Sequence, residues 1–324
     1  MNDITLYESD NRIALRKMIA RGEFVHSVVT DAPYGLLSII KRFGKADAAP
    51  ALKKHAGGAF TRSSEKFIGE KWDGSAIEND PEFWKLVLDV MLPGAMLVAF
   101  SSPRTYHLMA SAIEQAGFIV HPMIGWAYGS GLAKPHSPKL DEWEGYSHGA
   151  QVLKPALEPI FVGQKPFSEK TCRANILKHG VGAVNIKDTR APEGRWPANL
   201  ITDGSFGEKF IYFETFPFED QSVFYVPKAG KVDRAGGAHP TVKPIGLIQQ
   251  LIRRVTPPNG GTVLDPFAGS GTTGQAARNE GVKSILMENH KDYSSFIRRR
   301  LKLRLTADDM LGEIQIRKTA EDLI

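Results

Sequence analysis

An α/β fold with a mainly parallel sheet is predicted by three observations. Several short apolar runs are near-continuous rather than alternating, as in strands covered on both faces. Helical patterns, opened by capping residues and closed by Gly or Pro, stand between them. One run leads straight into a glycine-rich turn and a further helix, the unit from which open parallel sheets are built.

Taken in order, the apolar run Ile4–Glu8 is the first strand, and Asp10 is placed to cap a helix from Arg12. Val25–Thr30 is the second strand. Asn79 and Asp80 precede Pro81, an N-cap followed by Pro in the first turn, and PEFWKLVLDVML is read as a helix up to Pro93. Met96–Phe100 is the third strand. Ser101, Ser102 and Pro103 open RTYHLMASAIEQA, which sets Leu108, Met109, Ala112, Ile113 and Ala116 on one face before Gly117 stops it. Phe118–Trp126, Pro159–Val162, Thr262–Asp265 and Ser284–Met287 bring the strands to seven. Pro244 opens IGLIQQLIRRV, and GTTGQAARNEG and DYSSFIRRRLKLRL are two more helices.

Two stretches break the rhythm. Residues 41–71 are rich in Gly, Ala and Lys without sustained periodicity, which predicts a long loop. Residues 127–238 scatter Trp, Pro, Gly and His among short runs, which predicts an irregular insertion or small second domain. The 324 residues are 42% hydrophobic, enough for a full core, and Cys172 has no second cysteine to pair with. The most apolar stretch, Val87 to Phe100, is interrupted by Asp89, Pro93 and Gly94 and is too short for a membrane span. The first residues, MNDITLYESD, carry acids where a signal peptide carries a basic region, so a cytoplasmic protein is expected.

The segment TVLDPFAGSGTTG joins a strand to a helix through Gly269, Gly271 and Gly274, and Glu288 ends the next strand. Such a turn offers backbone N–H groups and a helix N-terminus to a ligand, and the acid is placed to accept from ribose hydroxyls. A tight turn needing glycine for packing is the plain alternative. A P-loop needs Lys after the last glycine, whereas Gln275 and Ala276 follow. A dinucleotide and S-adenosylmethionine both remain compatible. The second signal is Asp31-Ala32-Pro33-Tyr34-Gly35 at the end of the apolar strand VVT. A turn would explain its Pro and Gly, yet both signals fall at strand C-termini, the edge where open α/β sheets bind ligands.

TDAPYG, HPTVKP (His239 to Pro244) and LDPFAGSGTTG, in this order, resemble the β class of DNA amino-methyltransferases. LKPALEPIFVGQKP, ILKHGVGAVNI and GRWPANLI resemble further segments of its phage and prophage branch. The resemblance extends over nearly the whole chain. It implies a seven-stranded, Rossmann-like S-adenosylmethionine-dependent methyltransferase sheet with an irregular inserted target-recognition region. On that pattern residues 1–126 form the catalytic half, with 41–71 as a mobile basic loop. Residues 127–238 are the recognition region, with a late sheet strand near 159–162, and residues 239–324 are the cofactor-binding half. Implied partners are double-stranded DNA and a second copy of the chain, since relatives often pair. A restriction-modification setting is implied as well.

The resemblance makes Asp31, Ala32, Pro33 and Tyr34 catalytic, acting on a base turned out of the duplex. It assigns Asp265, Phe267, Gly269, Ser270 and Gly271 to the methionine and backbone of S-adenosylmethionine, and Glu288 to its ribose. Lys243, with Thr241, is expected near the methionine end and Asp10 near the adenine, unless Asp10 is only a helix cap. His239 is expected to be structural, and the chemistry calls for no metal. The departure is Ala32, where the family usually has proline. The backbone carbonyl implied for that position is retained, and Pro33 still biases Ala32 towards extended conformations.

The leading Asp favours adenine N6 over cytosine N4 within the family. A catalytically silent DNA-binding relative and a nicotinamide oxidoreductase are the competing classes, though DAPY has no role in the latter. Arg298, Arg299, Arg300, Lys302 and Arg304 form a basic cluster read as a solvated helix face. Among Trp126, Tyr128, Trp143, Tyr146 and Trp196, buried packing is expected for most. The net charge of +5 has a location. Residues 41–71 hold eight basic and three acidic side chains, and the rest of the chain balances at 33 each. The excess therefore lies beside the proposed catalytic segment, suited to phosphate contact.

Overall fold

The computed structural model describes residues 4–34, 76–129, 131, 133–190, 194, 196–202, 224–225, 228–235, 242–258 and 260–303. The strands are β1 (Ile4–Tyr7), β2 (Val25–Asp31), β3 (Met91–Phe100), β4 (Ile119–Ala127), β5 (Lys134–His136), β6 (His148–Gln151), β7 (Leu157–Gln164), β8 (Leu200–Thr202), β9 (Phe224–Tyr225), β10 (Thr262–Asp265) and β11 (Lys283–Met287). The helices are α1 (Asn11–Arg21), α2 (Pro81–Asp89), α3 (Tyr106–Gln115), α4 (Cys172–His179), α5 (Lys231–Arg234), α6 (Ile245–Val255), α7 (Thr272–Asn279) and α8 (Lys291–Leu301).

Nine strands form one sheet in the order β1-β11-β10-β2-β3-β7-β4-β8-β9, and β5 and β6 pair separately. Within the nine-stranded sheet, among the described residues, only β7 runs antiparallel to its neighbours, β3 and β4. All seven expected strands are present. The two extra ones, β8 and β9, extend the edge beyond β4 from within the region read as irregular. With three and two residues, they are too short to carry a periodic pattern.

The burial of β3, seven consecutive buried residues from Gly94 to Phe100, explains its unbroken apolar run. α1, α2 and α3 cover one face of the sheet through Leu15, Met18, Phe83, Trp84, Val87, Met109 and Ile113. α6 and α7 cover the other through Leu247, Leu251, Ile252, Ala276 and Ala277. Burying these side chains on both faces supplies the main driving force for the fold, roughly 1.5–3 kcal/mol for each large one. No helix among the described residues is long and apolar enough to cross a membrane.

Two helix expectations are corrected. α2 ends at Asp89, and the residues before Pro93 begin β3 instead. Proline cannot sit inside a helix, and here Pro93 and Gly94 lie in an irregularity where the pairing moves from Val25↔Met91 to Ser27↔Met96. On α3, Met109, Ala112 and Ile113 are buried as expected, but Leu108 is half exposed. The helix starts only at Tyr106, after a turn in which Ser102 Oγ accepts from the N–H of Arg104.

The order places β2 beside β10, with Ser27 opposite Val263 and Val28 opposite Leu264. From this pair the chain continues to β3 on one side and to β11 on the other. The C-terminal ends of β2 and β10 therefore flank the crevice that opens where connections diverge in a sheet of this kind. Asp31 ends one strand and Asp265 the other.

Candidate active site

Asp31 is largely buried, and its two oxygens are used differently. Oδ2 accepts from Lys243 Nζ at 2.6 Å. Oδ1 is buried without a hydrogen-bond partner among the described residues. A buried acceptor left unpaired is costly, so it marks a place where a donor is expected to arrive. Tyr34, three residues on, is anchored at both ends. Its carbonyl accepts from Thr105 Oγ1 at 2.6 Å, and its hydroxyl donates to Glu158 Oε2 at 2.8 Å.

Lys243 joins these groups. Its ammonium also donates to the Tyr34 hydroxyl at 3.0 Å, lies 3.5 Å from Glu158 Oε2, and sits about 5 Å from the Tyr34 and Phe100 rings. Burial works against its charge, but the Asp31 and Glu158 carboxylates outweigh burial and push its pKa up. Burial also raises the Asp31 carboxyl, with Glu158 adding to the rise and Lys243 opposing it. Tyr34 lies well above the ordinary phenol range, chiefly through burial and then through the two carboxylates. Lys243 thus stands at the Asp31–Tyr34 segment. Thr241 and His239 of the same motif, together with residues 41–71, fall outside the described residues.

Asp265 ties the two motifs together. Its Oδ1 accepts from Thr30 Oγ1 at 2.8 Å and from the Phe267 N–H at 3.0 Å, and Oδ2 accepts from Thr273 Oγ1 at 2.6 Å. Burial raises its carboxyl to about 6 against these three donors. The side chain is thus a brace between the strand that carries Asp31 and the turn that follows β10. Phe267 packs at 5.2 Å from the Phe83 ring.

In the turn, Gly269 and Gly271 have φ of 52° and 75°, the left-handed region that favours glycine. A Cβ on Gly271 would lie 3.1 Å from Ile297, and one on Gly274 would lie 2.7 Å from Leu286. Gly274 therefore serves close packing of α7 on β11. The Gly269 N–H donates to Glu288 Oε2 at 2.9 Å, and the His290 N–H donates to Oε1 at 2.8 Å. Each carboxylate oxygen keeps a second acceptor position. Burial raises the Glu288 carboxyl, and the two N–H groups oppose that rise.

Some expected site residues look inward. Ser270 is buried, its hydroxyl paired with Thr272, and its carbonyl accepts from Arg300 at 2.9 Å. Asp10 caps α1, accepting from the N–H groups of Arg12 at 2.9 Å and Ile13 at 3.3 Å. The basic cluster is less solvated than expected. Arg300 also donates to the Asp233 carbonyl, and Arg298 pairs with Glu8. Of the five central aromatics, Trp126 and Tyr128 are buried, whereas Trp143, Tyr146 and Trp196 are exposed. Buried packing thus holds for two of the five.

Glu158, Thr30, Thr105 and Thr273 were not anticipated, and Arg300 was read only as part of a solvated basic face. Glu158 had a visible signal, an acid just before the apolar run PIFV that becomes the buried core of β7.

The N6/N4 methyltransferase family model, described as DNA methylase, matches residues 25–299. The type II methyltransferase M.HindIII of Haemophilus influenzae is 25% identical over 300 residues, covering 84% of this chain and 87% of the relative. The crystal structure of the M1.HpyAVI–SAM complex superposes with a TM-score of 0.52 at 18% identity, covering 93% of this chain and all of that one. The PvuII DNA methyltransferase, titled cytosine-N4-specific, superposes at 0.52 with 17% identity, covering 98% and 93%.

Proposed function

The chain belongs to the N6/N4 family of DNA methylases, and we propose that it methylates the N6 amine of an adenine turned out of double-stranded DNA, using S-adenosylmethionine. The observation that carries this reading is the buried Asp31 Oδ1, unpaired among the described residues, beside the doubly anchored Tyr34, at the end of a strand next to the glycine turn.

The residues fit the cofactor. Glu288 offers two further acceptor positions to a ribose diol, and the left-handed backbone at Gly269 and Gly271 shapes the turn beside it. No charge in the turn is arranged for phosphates, in keeping with a sulfonium ligand. The cofactor supplies an electrophilic methyl group whose bond to sulfur breaks as the new carbon–nitrogen bond forms, the pair of electrons remaining on sulfur.

The protein's part is to make a poor nucleophile reactive. An exocyclic amine delocalises its lone pair into the ring. A hydrogen bond from that amine to Asp31 Oδ1, and a second to the Ala32 carbonyl, would localise the pair on nitrogen. Tyr34 offers a ring of fixed orientation for stacking on the base. Once the nitrogen is methylated, one of its protons must leave, and Asp31 is the base in contact with it. Fixed geometry and preorganised charge are the main sources of acceleration in such a site.

The leading Asp of DAPY supports adenine, and the PvuII neighbour is the reason to test cytosine. Incubating unmethylated DNA with enzyme and cofactor, then digesting it for nucleoside mass spectrometry, distinguishes them. N6-methyladenine supports the reading and N4-methylcytosine overturns its base assignment. Absence of both would favour a silent relative disabled at Ala32.

A further inference from the structure

We propose that Glu158 is a positioning residue for methyl transfer, sharing the Lys243 ammonium with Asp31 and fixing Tyr34, so that Asp31 keeps one charged oxygen for the target amine. The inference rests on Asp31 being the acceptor of that amine.

Topology brings Glu158 to the site. Because β7 runs antiparallel between β3 and β4, its beginning lies at the C-terminal edge of the parallel strands, with Glu158 opposite Trp126 and Ile160 opposite Phe100. The side chain is only 14% exposed. Its Oε2 accepts from the Tyr34 hydroxyl at 2.8 Å and lies 3.5 Å from Lys243 Nζ. Burial, and then the charge of Glu158, raise the Tyr128 hydroxyl just after β4. Behind Tyr128, the Lys228 ammonium lies 3.7 Å from the ring centroid.

Around the ammonium, Asp31 and Glu158 then stand against Lys243, one more negative charge than positive, with the buried Asp265 carboxyl beyond Asp31. Without Glu158, the ammonium would face Asp31 alone and the pair would be neutral. A neutralised Asp31 polarises an amine less, and a neutral site stabilises less of the positive charge that the nitrogen gains during transfer. Glu158 also accepts the hydrogen bond of the Tyr34 hydroxyl, which holds the ring at the end opposite its Thr105-bound carbonyl. Charge sharing and ring anchoring are separable by substitution.

The test uses the full chain with radiolabelled S-adenosylmethionine and unmethylated duplex DNA. Transfer by the wild type is measured first, since its absence would defeat the proposed function rather than the role of Glu158. With an active wild type, E158Q is expected to lose about tenfold to 100-fold in kcat, with cofactor affinity within about threefold. Glu158 raises the Asp31 carboxyl, so the acid limb of the kcat–pH profile should move to lower pH in E158Q. In Y34F, which removes the hydroxyl that helps hold the Asp31 carboxyl down, kcat should fall and the limb should move the opposite way, to higher pH. Wild-type kcat in E158Q, or a lowered kcat with an unmoved limb, would overturn the role. Should E158Q not fold, E158D keeps the charge. A lowered kcat with the wild-type limb then supports the role, and a shifted limb overturns it.

Discussion

Replacing Lys243 by Met keeps much of the side chain's length and deletes the cation held between Asp31 and Glu158. The consequence follows from burial. The Lys243 side chain is 8% exposed, and its carboxylate partners are 23% and 14% exposed. Breaking such a pair leaves uncompensated charge in a poorly solvated site, which costs about 3–5 kcal/mol. The exposed i,i+4 pair Lys85–Asp89 sets the contrast, since removing it should cost about 0.5 kcal/mol or less. The pH dependence of the K243M defect has a definite sign. The native Asp31 carboxyl already lies above its ordinary value, and losing the cation raises it further. Folding then favours the protonated carboxyl, so the defect is smallest in acid and grows as pH rises through the native pKa. Urea denaturation at pH 5 and pH 8 measures it, with a wider gap between wild type and K243M expected at pH 8. A gap below about 1 kcal/mol at pH 8, or one that narrows as pH rises, would refute the reasoning.

Two further outcomes are expected. The Asp265 carboxyl is raised to about 6 from 3.8, so wild-type stability should fall by up to about 3 kcal/mol between pH 4 and pH 6 from this group and then level off. D265N should remove that slope in denaturation curves, while loosening the contacts to Thr30 and Thr273. In G271A, a side chain enters at φ of 75° and 3.1 Å from Ile297. Stability should drop by about 1–2 kcal/mol, with weaker cofactor binding by calorimetry because the turn shifts.

The parts of the molecule with strong local signals were legible from the sequence. β10 has the bounds its run TVLD suggests, and the Asp80–Pro81 cap opens α2 as read. The glycine turn and the DAPY segment meet at neighbouring strand ends. What was not legible depended on long-range packing. Asp265 looks like a ligand-facing acid until Thr30, 235 residues away, is seen to bond it. Glu158 reads as one acid before an apolar run, and only the antiparallel insertion of β7 brings it to Tyr34. Lys243 was legible as part of a motif, but its contact with Asp31 spans 212 residues. β8 and β9 are too short to signal strand, and pairing at the sheet edge forms them.

The central claim is that Asp31 activates the target amine and does not hold the cofactor. It is tested most directly by measuring methyl transfer to DNA by Asp31→Ala beside the wild type, with cofactor affinity measured on the same preparations. The expected result is a fall in kcat of about 10²–10⁴ with cofactor Kd within about threefold. Transfer by Asp31→Ala at the wild-type rate, or a loss explained wholly by weaker cofactor binding, would contradict it.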